Sequence, residues 1–149
     1  MVLNNSMKIE LTKNKIKDLK KELSGLKNRL AQHHESERDT ILFSSKEAAA
    51  NDVSIGAMNS RVREIENILE NCEELPEETD SKKVVIGSRI EVEKGDGSSI
   101  HYRLVHPIEA DPNKGYISVE SPIGKLFIGS REGAIVDFKG RKFKVIFVG

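Results

Sequence analysis

The segment IKDLKKELSGLKNRL at residues 16–30 places leucine and isoleucine at alternating steps of three and four. A second segment at residues 55–72, IGAMNSRVREIENILENC, repeats this spacing. Such steps keep one narrow apolar seam on one side of an α-helix, as antiparallel coiled-coil pairing requires. The two seams contain, in chain order, Ile16, Leu19, Leu23, Leu26 and Leu30, then Ile55, Met58, Val62, Ile65, Leu69 and Cys72. The sequence therefore predicts an N-terminal antiparallel helical hairpin.

The ends of the two helices follow from local signals. The first helix is expected to begin within residues 8–12 and to continue to about Arg38. The second begins at Ser44, which forms a capping box with Glu47, and continues to about Cys72. The tip of the hairpin then falls at about 39–44, where apolar residues 41–43 either fold back onto the seam or contact a partner.

A change of period marks a second domain. After an acidic segment that contains Pro76, the hydrophobic period becomes two, as in strands separated by glycine-containing turns. We predict a hairpin domain at 1–75, a linker at 76–83 and a small β domain at 84–149. The fold class is α+β, and the β domain is expected to be an antiparallel sheet with one short helix between Pro122 and Gly129. Its predicted strands are 88–93, 100–105, 115–119, 134–138 and 142–148.

Composition limits the classes of protein to consider. Among the 149 residues, 1–80 carry a net charge of −4 and 81–149 a net charge of +4, so the neutral total hides an asymmetry. The single cysteine, Cys72, cannot form an internal disulfide. No apolar run is long enough to cross a membrane, and no signal-peptide pattern is present. We expect a cytoplasmic protein that contacts no membrane and acts as a monomer.

Motifs in the second domain occur in a distinctive order. Glu109-Ala110-Asp111-Pro112 precedes Ile117-Ser118-Val119-Glu120-Ser121-Pro122-Ile123-Gly124, and Leu126, Ile128 and Gly129 follow. This order resembles the carboxy-terminal domain of the GreA/GreB family of bacterial transcript cleavage factors. The resemblance covers roughly 84–148, and the preceding helical hairpin agrees with the same architecture. It implies an FKBP-like fold for the second domain.

The resemblance also implies a partner. Proteins of this family dock the tail domain on the rim of the secondary channel of bacterial RNA polymerase, and the helical arm enters the channel. By this likeness the polymerase-binding residues are expected to be Ser121, Pro122, Ile123, Gly124 and Asp111. The tetrapeptide alone would be weak evidence, since Pro at a helix start and Gly in a turn are common local devices.

The tip departs from the family. There the family has an Asp followed three residues later by a Glu, which hold a second Mg²⁺ at the polymerase active site. Alignment from the first helix places that Asp near Lys46, and alignment from the second helix places it near Ile41. Neither position is acidic. The arm is therefore about one helical turn shorter than usual. The remaining candidates for tip carboxylates are Asp39 and Glu47, although Glu47 is also explained as a capping residue.

Three functions are consistent with these features. The first is an elongation factor that acts on backtracked complexes and stimulates the polymerase's own RNA cleavage, with Mg²⁺ shared with the polymerase and no intrinsic cofactor or metal. The second is a non-cleaving homologue that occupies the channel as a competitor or inhibitor. The third, a prolyl isomerase, rests on fold likeness alone, which does not transfer activity. In the first two functions the chain itself is not an enzyme.

Basic residues recur along the first helix. Lys13, Lys20 and Lys27 are spaced seven residues apart, and Lys17 lies on a neighbouring row. Their stripe is expected either to contact the nascent RNA 3′ end by electrostatics or to be a solubilising face paired with the second helix. Because no aromatic residues lie between them, sequence-specific readout is not expected.

Overall fold

The computed structural model describes residues 8–39 and 45–149, with side chains described for 8–36 and 52–149. These residues divide into two compact units. The arm unit contains Asn14–Cys72, and the tail unit contains Lys8–Lys13 together with Glu73–Gly149. None of the helices in the described part of the chain is long and apolar enough to cross a membrane.

Two helices of equal length form the arm. Helix α1 spans Lys13–Asp39 and helix α2 spans Ser45–Asn71, each 27 residues. Leu19 and Ile65 of the predicted seams are buried almost completely, as is Ile68 beside them. The predicted helical hairpin is thus confirmed. It differs at its start, because residues 9–11 form a strand and the helix begins only at Lys13.

Ion pairs add to the contact between the two arm helices. Arg61 of α2 donates from Nε and Nη2 to the two carboxylate oxygens of Glu22 on α1, at 2.7 and 3.1 Å. Its Nη1 also donates to Glu64 at 3.0 Å. Lys27 of α1 pairs with Glu66 of α2 at 2.7 Å. Its bidentate geometry makes the Arg61–Glu22 pair more specific than the Lys27–Glu66 pair.

The remaining regular structure among the described residues consists of seven strands, one short helix and two 3₁₀ turns. The 3₁₀ turns, at Pro107–Glu109 and Pro112–Lys114, lie between the fourth and fifth strands. The helix α3 spans Pro122–Phe127. The strands are β1 Ile9–Leu11, β2 Cys72–Glu74, β3 Arg89–Lys94, β4 Ser99–Val105, β5 Tyr116–Ser118, β6 Ile135–Phe138 and β7 Arg141–Val148.

The larger sheet has the order β5-β4-β3-β7-β6. One face packs on α3, whose Phe127 ring lies 6.4 Å from Phe143 and 6.3 Å from Tyr102, centroid to centroid. Alternate strand residues such as Val92 and Leu104 complete this core. The α+β class and the single short helix are confirmed.

The sheet differs from the predicted one in two respects. It is mixed, because β5 pairs with β4 in parallel, and the two 3₁₀ turns supply the crossover that a parallel pair needs. In addition, β1 and β2 form a separate two-stranded sheet. We expected the first helix to begin within residues 8–12, but residues 9–11 form a strand, and the backbone N–H of Leu75 donates to the carbonyl of Leu11 at 2.8 Å. That long-range pairing outweighs the local helical tendency.

Candidate functional site

The start of α3 is fixed by its own serine. The Ser121 hydroxyl donates to the carbonyl of Ser118 at 2.7 Å and accepts from the backbone N–H of Gly124 at 3.1 Å. Pro122 occupies the first helical position, where the missing N–H costs nothing. The Ser-Pro pair therefore sets a rigid entry into the helix and leaves Pro122 exposed.

Gly124 is required for a different reason. A Cβ added at this position would lie 2.0 Å from the carbonyl oxygen of Ser118, so every other residue would collide with the backbone. Ile123 is half-buried and packs against the core. Of the four predicted docking residues on this segment, Pro122 is thus the exposed one, while its neighbours shape the turn that presents it.

Exposed apolar side chains continue along the same helix. Leu126 is 44% exposed, and Ile128, directly after the helix, is 39% exposed. Together with Pro122 they form what we call the α3 surface. Its exposed apolar side chains make it a candidate site for contact with a protein partner.

The Glu109-Ala110-Asp111 motif has two structural tasks. Glu109 is buried, and its carboxylate accepts from the backbone N–H of Thr12 at 3.0 Å and from the Thr12 hydroxyl. Asp111 caps the second 3₁₀ turn by accepting from the N–H of Asn113 at 3.1 Å. Its backbone also exchanges hydrogen bonds with Tyr116. Asp111 therefore lies on a separate segment from the α3 turn, and its carboxylate is already engaged.

The predicted tip carboxylates lie at the two helix ends. Asp39 is the last residue of α1, and Glu47 lies in the first turn of α2. Their side chains, and the apolar residues 41–43, lie outside the described residues. Within the part of the chain whose side chains are described, no group of three or more His, Cys, Asp or Glu residues could hold a metal ion.

The arm lysines are placed on the surface. Lys13, Lys17, Lys20 and Lys27 are all exposed. Lys27 forms the ion pair with Glu66 described above, so one member of the stripe is engaged across the helices. This pair agrees with the interpretation of a face paired with the second helix, and contact of the stripe with RNA stays a prediction.

Comparison with known proteins identifies the family. A family model described as "Transcription elongation factor, GreA/GreB, C-term" matches residues 78–148. The transcription elongation factor GreA of Thermotoga maritima is 34% identical over 95% of this chain and 97% of that protein. The chain belongs to the GreA/GreB family of transcription elongation factors. GreA of Mesomycoplasma hyopneumoniae is 32% identical over 87% of this chain and 85% of that protein.

A solved structure resembles this GreA/GreB chain more weakly. The GreA factor homologue Gfh1 of Thermus thermophilus is 24% identical, with a TM-score of 0.42 over 95% of this chain and 99% of that one. At this level of likeness the neighbour adds no weight to the assignment.

Two features of the GreA/GreB tail were missed by sequence reasoning. One is the hydrogen bonding of Thr12 to Glu109, which joins residues 97 positions apart. The other is a groove on the sheet face away from α3, whose lining comes from separate strands. Neither has a local sequence signal, because contact between distant segments leaves no periodicity in either one.

Proposed function

We propose that this chain binds bacterial RNA polymerase at the secondary channel and acts on backtracked complexes. Membership of the GreA/GreB family carries the proposal. The exposed Pro122 at the start of α3 supports a docking contact there, and the exposed Leu126 and Ile128 extend the apolar surface. In this proposal Pro122, the exposed residue among the four on the α3 segment, contacts the polymerase. Ser121, Ile123 and Gly124 shape its turn, and Asp111 caps the 3₁₀ turn before β5.

The chemistry at the tip separates two versions of this function. In the first, Asp39 and Glu47 would supply oxygen ligands to a Mg²⁺ shared with the polymerase, and the polymerase's own active site would cleave the backtracked RNA. Carboxylates suit Mg²⁺, and a second metal ion stabilises the attacking and leaving oxygens of a phosphodiester. In the second version the chain occupies the channel without stimulating cleavage. The absence of an Asp-x-x-Glu pair from the sequence of the tip favours this alternative.

The exposed arm lysines complete the proposal. Lys13, Lys17 and Lys20 present positive charge along α1, which suits contact with the phosphates of nascent RNA. Lys27 contributes less, because its ammonium is paired with Glu66.

Substitution of Pro122 by Glu tests docking. A Glu at the first helical position is compatible with the helix, whose N-terminus favours negative charge, so the fold is expected to survive. The new charge would be buried against an apolar partner surface, and affinity for core polymerase should fall by at least about tenfold. Binding is measured by titrating labelled polymerase with Pro122→Glu and with Gly95→Glu, a control at an open turn position. Equal affinity of the two variants would remove the α3 surface from the proposal.

A second experiment tests the chemistry by adding the wild-type chain, Asp39→Ala or Glu47→Ala to stalled elongation complexes. Shortening of the RNA by the wild-type chain, lost in Asp39→Ala or Glu47→Ala, supports cleavage. Slower nucleotide addition without RNA shortening supports the competitor. Full cleavage by both variants would reject these two residues as tip carboxylates.

A further inference from the structure

The tail unit has an open groove of about 590 Å³ on the sheet face that does not pack on α3. Strand alternation explains its location, because Ile90 and Val92 of β3 point into the core, whereas Arg89 and Glu91 point away. The side chains that matter here are Arg89, Glu91, His101, Lys114, Tyr116 and Phe147. They come from β3, β4, β7 and the end of the 3₁₀ crossover into β5.

The strand register brings these residues together. Glu91 lies opposite His101 on β4 and opposite Phe147 on β7. Arg103, opposite Arg89, is also the partner of Tyr116 on β5. The groove is therefore formed by the sheet itself, whose backbone hydrogen bonds hold the spacing of its side chains.

The edge of the groove is held close to the sheet by a glycine. Gly115 has a φ of +76°, and a Cβ there would lie 2.8 Å from the carbonyl oxygen of His101. Only glycine allows the loop to approach β4 so closely while carrying Lys114 and Tyr116 on either side. The loop thus places a cation and an aromatic ring at the same rim.

Two of the cations in the groove are available to a ligand. Among the described residues, neither Arg89 nor Lys114 has a side-chain hydrogen bond or ion pair. Arg103 differs, since its guanidinium donates to the carbonyls of Gly87 and Pro76 at 3.3 and 3.2 Å. The available charge in the groove is therefore positive, with Glu91 as the opposing carboxylate among the lining residues.

An exposed aromatic ring lies among these charges. Phe147 is 51% exposed although it is on a central strand of the sheet, and Tyr116 is half-buried beside the crossover. Aromatic faces next to cations are the features with which proteins bind single-stranded nucleic acids. The groove volume also falls within the range of about 300–1,000 Å³ typical of ligand sites.

We propose that this groove binds single-stranded nucleic acid. Arg89 and Lys114 contact phosphates, and a base stacks on the ring of Phe147. The carboxylate of Glu91 accepts a hydrogen bond from a base N–H or a ribose hydroxyl. Because stacking is tolerant of base identity, binding is expected to be largely independent of sequence.

Fluorescence anisotropy of a labelled ten-uridine RNA with the full chain tests this proposal without polymerase. All proteins carry K13Q, K17Q and K20Q, so that binding by the arm does not mask the groove. Phe147→Ala should weaken binding about tenfold through lost stacking, and Phe147→Tyr should retain it. Lys114→Gln should weaken binding and reduce the slope of log affinity on log salt by about 0.7. Lys125→Gln and Ile135→Ala, both exposed outside the groove, are the matched controls.

Three results would overturn the proposal. The first is equal affinity of the groove variants and their controls. The second is displacement of the RNA by a ten-residue polyglutamate peptide as effectively as by unlabelled RNA, which would indicate an acidic-peptide site. The third is competition by uridine monophosphate at the concentration at which the oligonucleotide competes, which would indicate a free-nucleotide site. If the groove did not bind RNA, the proposed docking of the α3 surface on polymerase would be unaffected, because polymerase binding is measured in a separate experiment.

Discussion

Gly124 shows how one residue can hold a functional turn in place. Its hydrogen atom occupies a position where a Cβ would lie 2.0 Å from the Ser118 carbonyl. The φ of Gly124 is not in the left-handed region. Glycine is therefore required here because a side chain has no space, and not because of the backbone conformation. Sequence reasoning identified the Ser-Pro-Ile-Gly segment through its family resemblance, but the contact that explains the glycine involves Ser118, the last residue of β5.

Gly124→Ala should therefore destabilise the tail. The collision can be relieved only by moving backbone, and overpacking of this kind costs about 1–3 kcal/mol. Urea denaturation followed by tyrosine fluorescence should show the midpoint shifted downward. Gly95→Ala is the control, since nothing lies within 4 Å of its added Cβ, and it should change stability by less than about 0.5 kcal/mol. An unshifted midpoint for Gly124→Ala would contradict the steric argument.

At the scale of elements, the arm depends on cross-helix charge as well as on its seam. Hydrogen bonds from Arg61 hold the pKa of Glu22 below its ordinary value. Hydrogen bonds to Glu22 and Glu64 raise the pKa of Arg61, which stays protonated throughout. The alternating spacing was enough to predict both helices. It could not predict which charged residues meet, because that depends on the relative axial position of α1 and α2.

The arm should lose this contribution in acid. Because the folded pKa of Glu22 is lowered, its stabilisation is complete above the ordinary value of about 4.3 and is lost as the pH falls through the folded value. Both side chains are about 40% exposed, so the pair contributes at most about 0.5 kcal/mol.

The measurement is the thermal melting of helical circular dichroism at two pH values. The melting temperature of Glu22→Gln should be lower than that of the wild type at pH 6 and close to it at pH 2.5. Glu70→Gln, an α2 carboxylate that forms no ion pair among the described residues, is the control and should melt with the wild type at pH 6. If Glu22→Gln lowered the melting temperature by the same amount at both pH values, the pairing of ionised Glu22 with Arg61 would be excluded as the cause.

At the scale of the whole molecule, the tail unit includes residues from near the start of the chain. Lys8 pairs with Glu73, and strand β1 pairs with β2 in the same small sheet. Thr12 then bonds to the buried Glu109, 97 residues away in sequence. Residues 8–13 are thus part of the tail fold, although the next residues belong to the arm.

Glu109→Gln should loosen that attachment. The carboxylate accepts two bonds from Thr12, and an amide nitrogen can accept neither, so one buried donor loses its partner at a cost of about 1–3 kcal/mol. Amide hydrogen exchange should become faster at Thr12 and at Leu75, whose N–H bonds to Leu11. Glu120→Gln, an exposed carboxylate in the same unit, is the control. Unchanged protection at both amides would contradict a role for Glu109 in holding residues 8–13.

The sequence by itself determined the two arm helices, the strands from β3 to β7, the short helix α3 and the motifs that identify the family. The long helices and the strands follow from local spacing, since a side chain's face is set by the period of its own segment. The motifs are read from the order of their residues along the chain. The tertiary structure decided the β1–β2 sheet, the parallel placement of β5, the burial of Glu109 and the groove at Phe147. These depend on which distant segments meet, and neither segment alone carries that information.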